Sequence, residues 1–338
     1  MATINAVATE TAGGEFKPFE YDPGELGPNE IEIKVNSCGF CHSDLSMIDN
    51  DWGQSHYPLV PGHEIAGTVA QIGPNVTSLE LGQRVGLGWY RGSCMTCMWC
   101  MSGDHNLCAD RRDLIVNHHG GFATHVRTDA AWAVPLPDGV SDESAGPLFC
   151  GGITVFNPIV QFGVLPTDRV GVIGIGGLGH MALAFLNKWG CEVTAFTSSE
   201  SKMEEAKKLG AHKCVNSRSS DDIKALNGSL DFIMSTVNVP LDWDAYYAAL
   251  GPKGRLHTVG AVLEPIPTPA FTLIAGQKSL SGTPLGAPAT TGRMLEFCDR
   301  HGIAPVIEKF PMSRVNDAVQ HLRDGKARYR IVLENDLG

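Results

Sequence analysis

No run of like basic residues occurs anywhere in the chain, and 26 Lys and Arg against 37 Asp and Glu leave a formal net charge of −11. The electrostatic footprint of a nucleic-acid or anionic-membrane binder is therefore missing. Met1 to Gly14 lacks a basic cluster followed by an apolar core, so no secretory signal is legible and a cytoplasmic protein is expected. Long hydrophobic runs are also absent. The most apolar stretch, Val170 to Leu186, holds five glycines and a histidine and reads as strand, turn and helix rather than as a membrane span. There is no internal repeat and no low-complexity linker.

What the chain does have is length and cysteine. Its 338 residues with 43% apolar content can bury two cores. Ten cysteines, clustered in a long chain without a signal, point to metal ligation rather than to disulfides. Up to about Gly152 the sequence is rich in glycine, proline and short alternating runs (Glu30 to Val35, Ile65 to Ile72, Arg84 to Leu87), the pattern of an irregular β-rich domain. From Ile153 to Gly286 apolar runs alternate with helical stretches. Strands are expected at Val170 to Ile175, Glu192 to Phe196, Asp231 to Ser235 and Arg255 to Gly260, with helices at Leu178 to Trp189, Ser201 to Leu209 and Trp243 to Leu250. That alternation implies an α/β fold with a parallel, doubly wound Rossmann sheet over 153–286. The tail, 287–338, has two helical patterns and a closing strand at Arg330 to Leu333, too little to stand alone, and is expected to pack with residues 1–152.

Cys94, Cys97, Cys100 and Cys108 spell CxxCxxC and, after seven residues, a fourth cysteine. Zinc takes four tetrahedral donors, sulfur at about 2.3 Å, and cysteines this close on one loop can close around an ion without a distant partner. Four thiolates leave no open position, so such an ion holds a loop and does no chemistry. The competing reading is four free or redox-active cysteines. His105, in the same loop, is not needed as a ligand.

Gly174-x-Gly176-Gly177-x-Gly179 follows an apolar strand and opens a helical pattern at Leu178. Placed between strand and helix, this motif is a dinucleotide fingerprint: glycine lets the backbone approach a pyrophosphate, and the helix N-terminus offers free amides to it. An NAD site usually ends its second strand with Asp or Glu. This chain has Thr197, Ser198 and Ser199, with Lys202 close behind. Hydroxyls and an ammonium bind a 2′-phosphate that an acid would repel, which favours NADP(H). An inward Glu200 side chain would weaken that preference.

The segment Cys38 to Leu45 reads CGFCHSDL, Gly62-His63-Glu64 follows, and Cys150 lies in GPLFCGGITVF. Alone, each such cysteine or histidine is more often a core residue than a ligand. Together with PLVPGHE, CxxCxxCx7C, GIGGLGH and the closing KARYRIVL, in order along nearly the whole chain, they make the sequence resemble the zinc-containing medium-chain alcohol dehydrogenases. Within them it resembles the cinnamyl alcohol dehydrogenase-like branch. It also resembles the bacterial broad-specificity NADPH-dependent aldehyde reductases, on SMIDNDWG-like and STVNVPLDW-like segments.

The resemblance implies a GroES-like catalytic domain over 1–152 and 287–338 with two zinc sites. Cys41, His63 and Cys150 would hold a catalytic zinc with an open fourth position, and Glu64 would sit beside it or exchange with a ligand. Asp44 would accept the other ring proton of His63, or else be only a helix N-terminal carboxylate. Ser43 would pass the substrate proton. The histidine that usually follows five residues after the first cysteine is Ser46 here, a departure that leaves the far end of that relay open. His42 matches a pyrophosphate-contacting position, or is an exposed turn residue. Thr154 matches a position near the nicotinamide, or is a buried helix residue. Trp52 and Trp89 would line a substrate cleft favouring aromatic or medium-chain aldehydes, unless they are core.

The implied function is hydride transfer between NADP(H) and small aldehydes or primary alcohols, by a homodimer joined near Lys278 to Thr283. Reduction of activated carbon–carbon double bonds is the second reading, opposed by the retained Cys41, His63 and Cys150. A non-enzymatic cofactor-binding protein is the third, opposed by the intact glycine loop.

Overall fold

The structure is a computed structural model that describes residues 3–338, the side chain of Glu200 excepted. The chain divides into two compact units, Met1–Ile153 with Gly286–Gly338, and Thr154–Leu285.

The first unit opens with an antiparallel hairpin of β1 (Ile4–Thr9) and β2 (Phe16–Tyr21). β3 (Glu30–Phe40) follows and runs through Cys41 into α1 (His42–Asp49). Next come β4 (Glu64–Ile72), β5 (Arg84–Leu87), β6 (Tyr90–Gly92), the single turn α2 (Met98–Met101), β7 (Arg112–Asp113), β8 (His125–Asp129), β9 (Val134–Pro135) and α3 (Asp142–Pro147). β3 is the organising strand. Ile31, Ile33 and Val35 are buried at alternate positions, and Glu32 between them is buried too, ion-paired to Arg127 at 2.8 Å. β3 pairs with β4 on one side and with β8 on the other. After α3 the chain makes a wide π-helical turn at Leu148–Gly152 before α4 (Ile153–Gln161).

The second unit continues α4 with β10 (Arg169–Ile173), α5 (Gly179–Trp189), β11 (Glu192–Thr197), α6 (Glu200–Lys208), β12 (Lys213–Asn216), α7 (Ser220–Lys224), β13 (Leu230–Ser235), α8 (Trp243–Ala249), β14 (Leu250–Thr258), α9 (Ala270–Gly276) and β15 (Ser279–Gly282). Its six strands are all parallel, in the order β12-β11-β10-β13-β14-β15. Val170, Val172, Val193, Ala195, Ile233 and Met234 are inaccessible, as expected of strands covered on both faces. Strand order reverses between β10 and β13, so their C-terminal ends flank the crevice where doubly wound sheets take ligands. Sequence patterning did not find β12, α7, α9 or β15. Every residue of α9 is at least partly exposed and β12 has no fully buried one, so neither carries a one-sided apolar signal.

The tail adds α10 (Pro288–His301), β16 (Ile307–Pro311), α11 (Val315–Arg323) and β17 (Arg330–Glu334) to the first unit. β17 pairs antiparallel with β3, from Ile331 opposite Phe40 to Glu334 opposite Ser37, and β16 lies parallel to β17. Arg330 thereby arrives beside the end of β3, next to Cys41. No helix among the described residues is long and apolar enough to cross a membrane.

Candidate functional site

Cys41 stands where β3 ends and α1 begins. Its Sγ accepts a hydrogen bond from the Ser43 amide at 3.2 Å, and its own amide donates to Asp44 Oδ2 at 3.1 Å, a reciprocal cap that fixes the first turn. Asp44 Oδ1 also accepts from the Gly62 amide at 2.9 Å and lies 2.8 Å from His63 Nδ1. The helix-cap and ring-orienting readings of Asp44 describe contacts made by one carboxylate. With Nδ1 facing Asp44, Nε2 points the other way, to 3.4 Å from Cys41 Sγ. Cys150, on the π-helical turn, places its Sγ 4.0 Å from Cys41 Sγ, and Glu64 Oε1 is 3.9 Å from His63 Nε2. One donor atom from each of Cys41, His63, Glu64 and Cys150 lies within 4.8 Å of all the others.

Tetrahedral donors about 2.1 to 2.3 Å from a shared ion sit roughly 3.4 to 3.8 Å apart, so the observed edges fit a zinc ion. The donor types fit as well, two thiols, an imidazole and a carboxylate, whatever protons they carry without the ion. Burial opposes charge on Cys41, yet the Cys150 thiol and the His63 ring hold its thiol well below the usual range. Burial likewise works against a charged His63, but Asp44 and Cys41 push its ring well above the usual range. Glu64 is fully buried with Oε2 unpartnered, while Oε1 accepts from Arg330. Burial pushes its carboxyl up to about 7 against the opposing pull of Arg330. Gly39 makes room for this carboxylate, since a Cβ there would come within 2.0 Å of Glu64 Oε2.

Around this cluster Ser43 is half-buried, Ser46 is buried and His42 is exposed at the start of α1. Trp89 packs edge-on to the His63 ring with centroids 4.9 Å apart, and Trp52 packs on Trp89 at 5.9 Å. Both indoles are half-buried, so an apolar, partly accessible wall stands directly over one of the donor residues.

The second cysteine group also converges. Cys94 Sγ is 3.9 Å from Cys100 Sγ and 3.5 Å from Cys108 Sγ, and with Cys97 the four form one cluster. These edges match a tetrahedron of sulfurs around zinc. His105 stands outside it.

In the second unit, β10 ends at Ile173 and Gly174 turns the chain with φ +84°, which favours glycine. A Cβ at Gly179 would meet the Gly174 carbonyl at 1.9 Å, so the helix can start this close only without a side chain. Gly176 has open space where its Cβ would be, and Gly177 and Leu178 are half-buried beside it. Thr236, at the end of β13, closes the turn by donating its hydroxyl to the Gly174 carbonyl at 2.8 Å. Thr154 is buried in the first turn of α4.

At the end of β11, Thr197 is buried and Ser198 exposed, and Ser199 accepts from the Lys202 amide as the N-cap of α6. The Glu200 side chain lies outside the described residues. A cavity of about 460 Å³ beside this turn is bounded by Ser198, Ser199, Met203, Asn216 and Asp222. Sequence reading missed two residues here. Arg330 reads in the sequence only as the start of the closing strand, 266 positions from its partner Glu64, and Asp222 sits on a helix with no pattern to announce it.

Residues 27–138 match the family model of the alcohol dehydrogenase GroES-like domain, and residues 177–300 match that of the zinc-binding dehydrogenases. The chain is 54% identical to the aldehyde reductase AdhA of Synechocystis sp., over 98% of this chain and 99% of that one. It is 37% identical to a probable cinnamyl alcohol dehydrogenase 6 of Arabidopsis thaliana, over 97% and 93% of the two chains. Among solved structures, a cinnamyl alcohol dehydrogenase of Sorghum bicolor superposes with a TM-score of 0.93 at 35% identity, covering 98% of each chain. The CAD of Helicobacter pylori complexed with NADP(H) superposes with a TM-score of 0.90 at 28% identity, also covering 98% of each.

Proposed function

We propose, from the premise that this chain belongs to the zinc-binding alcohol dehydrogenase family, cinnamyl alcohol dehydrogenase-like branch, that it is an NADP(H)-dependent reductase of small aldehydes with two zinc ions per chain. The observation that carries this reading is the convergence of Cys41, His63 and Cys150 around one centre, beneath a tryptophan pair. Zinc bound there supplies a Lewis acid for the carbonyl oxygen, and bound NADPH supplies the hydride.

The chain's own residues do the rest. Cys41, His63 and Cys150 would supply three donors to the ion and leave a fourth place for substrate or for Glu64, whose Oε1 lies 3.9 Å from His63 Nε2. Asp44 holds the His63 ring in the tautomer that points Nε2 inward. Ser43, half-buried on the first turn of α1, carries the proton to or from the substrate oxygen. Trp52 and Trp89 hold an aromatic or medium-length aldehyde by apolar contact and exclude water from one side of it. Gly174, Gly176, Gly177, Leu178 and Gly179 receive the pyrophosphate, with His42 and Thr154 as further cofactor contacts. Ser198, Ser199 and Lys202 recognise the 2′-phosphate, while Asp222 on the same cavity keeps that preference from being absolute. Cys94, Cys97, Cys100 and Cys108 hold the second zinc. A second copy joins at Lys278 to Thr283, where β15 ends the parallel sheet with one side unpaired.

NADPH oxidation with benzaldehyde, then with an enone, tests the reaction class, and repeating the first assay with NADH tests the cofactor. Reduction of the aldehyde with a preference for NADPH is expected. Reduction of the enone alone would make the protein a double-bond reductase.

A further inference from the structure

The chain has ten methionines, and their placement is uneven. Met47, Met181, Met234, Met294 and Met312 are at most 1% exposed. Met203 is half-buried. Among the described residues the three well-exposed ones, Met95 at 40%, Met98 at 69% and Met101 at 76%, fall within seven consecutive positions. These positions interleave with the cage cysteines, as Cys94-Met95-x-Cys97-Met98-x-Cys100-Met101.

Two features show that neither packing nor backbone demands methionine here. Met98 and Met101 lie on α2, where only Cys100 is buried, so their thioethers fill no core. Met95 has φ +61°, a conformation in which glycine or asparagine would be easier, so the side chain is kept against a local backbone cost. What the three share is an exposed side chain with an oxidisable sulfur beside the four thiolates, that of Met95 also accepting from Ser93 Oγ at 3.3 Å. Of those thiolates, Cys94 and Cys97 are themselves half-exposed.

We propose that Met95, Met98 and Met101 form a sacrificial oxidation site that guards the four-cysteine cage against hypohalous acids. The inference rests on the reading of that cage as a zinc site. Hypochlorous acid attacks thioethers almost as readily as thiolates, so accessibility decides which sulfur it meets first. In each event the O–Cl bond of one hypochlorous acid breaks as a methionine Sδ gives two electrons to chlorine and takes up the oxygen as one S=O bond. Methionine sulfoxide, chloride and a proton result, and no ligand is lost. Sulfoxide reductases can restore the thioether, whereas oxidation of two cage thiolates to a disulfide removes two of four donors at once. Sulfoxides on an outward surface disturb no packing, in contrast to oxidation of the five buried methionines.

The test titrates the zinc-loaded protein with hypochlorous acid, alongside the triple variant Met95→Leu, Met98→Leu, Met101→Leu. Leucine keeps volume and apolarity at exposed sites, so the variant should fold. Peptide mass spectrometry reads sulfoxide at each methionine, alkylation reads the state of Cys94, Cys97, Cys100 and Cys108, and a chromophoric chelator reads released zinc. In the parent, the three loop methionines should be oxidised first, and the cage should stay intact until about three equivalents are consumed, one per thioether. The variant should lose cage thiols and zinc at the first equivalents. Oxidation spread over Met47, Met181 and Met234 in the parent, or loss of cage thiols at equal dose in both proteins, would overturn the proposal. Zinc counted before any oxidant in the parent and in Cys97→Ser isolates the underlying reading: equal counts would mean the cage is empty, while the alkylation map would still report whether the methionines protect its thiols.

Discussion

At the scale of single residues, Asp44 concentrates more consequences than any other side chain. One buried carboxylate caps α1 through the Cys41 amide, accepts from the Gly62 amide and faces His63 Nδ1. Asp44→Ala should therefore weaken zinc at the Cys41 cluster by about 10- to 100-fold while leaving the Cys94 cage loaded. Chelator competition would measure this, and unchanged retention of both ions would show that Asp44 only caps the helix. Ser43 and Ser46 divide in the same way. Ser43 is half-buried beside Cys41 and Ser46 is buried in α1, so Ser43→Ala should slow turnover by roughly 100-fold and Ser46→Ala by little. Equal, large losses would assign Ser46 a share of the proton path. The chemistry of the cage was legible because its four cysteines share one loop. That of Cys41, His63 and Cys150 was legible only through resemblance, since 22 and 109 positions separate the donors. Arg330 was not legible at all, because only the pairing of β17 with β3 brings it to Glu64.

At the scale of elements, the turn after β11 is a helix cap whose residues the proposed function also uses for the 2′-phosphate. The Ser199 hydroxyl is engaged as the N-cap of α6, which leaves Ser198 and the Lys202 ammonium as the freer groups for a 2′-phosphate. Lys202→Ala should raise KM for NADPH about fivefold, on the order of 1 kcal/mol for one charged contact, with NADH unaffected and the loss shrinking in high salt. Ser198→Asp should oppose NADPH and favour NADH. A variant at Lys202 that weakens both cofactors equally would show that the lysine does not meet the phosphate. A second element carries a pH dependence. His257 on β14 is inaccessible, with Nδ1 3.0 Å from Ser281 Oγ and Nε2 3.2 Å from Thr283 Oγ1. Burial first, and Arg255 second, push its pKa down to about 4. The unfolded chain takes up that proton near pH 6.5 and the folded one does not. Stability is thus fully present above about 6.5, falls by up to about 1.4 kcal/mol per unit as pH drops, and levels off below about 4. Urea midpoints for the parent and His257→Gln between pH 7 and 4 would measure it, and parallel slopes would contradict it. The long, strongly patterned elements around these sites, β10, α5, β11 and β13, were readable to within a few residues. Edge strands β12, β15 and β16 were not, because a half-exposed strand of four or five mixed residues has no period to read.

At the scale of the whole molecule, the proposed function gives two clusters of candidate metal donors different ends in one chain. The cage is closed by four thiolates within one loop, so Cys97→Ser should chiefly reduce stability and remove one zinc. The Cys41 cluster joins the end of β3, the start of β4 and the π-helical turn, so it depends on the fold more than the fold depends on it. The most direct measurement is zinc content, thermal midpoint and NADPH-dependent benzaldehyde reduction on the parent and on Cys150→Ser. The parent should hold two zinc ions and reduce the aldehyde. Cys150→Ser should hold about one, keep its midpoint within a few degrees and lose turnover by at least roughly 100-fold, the scale expected when the charge stabilising a developing oxyanion is removed. A Cys150→Ser protein that reduced benzaldehyde at the parent rate would contradict the assignment of this cluster as the catalytic centre.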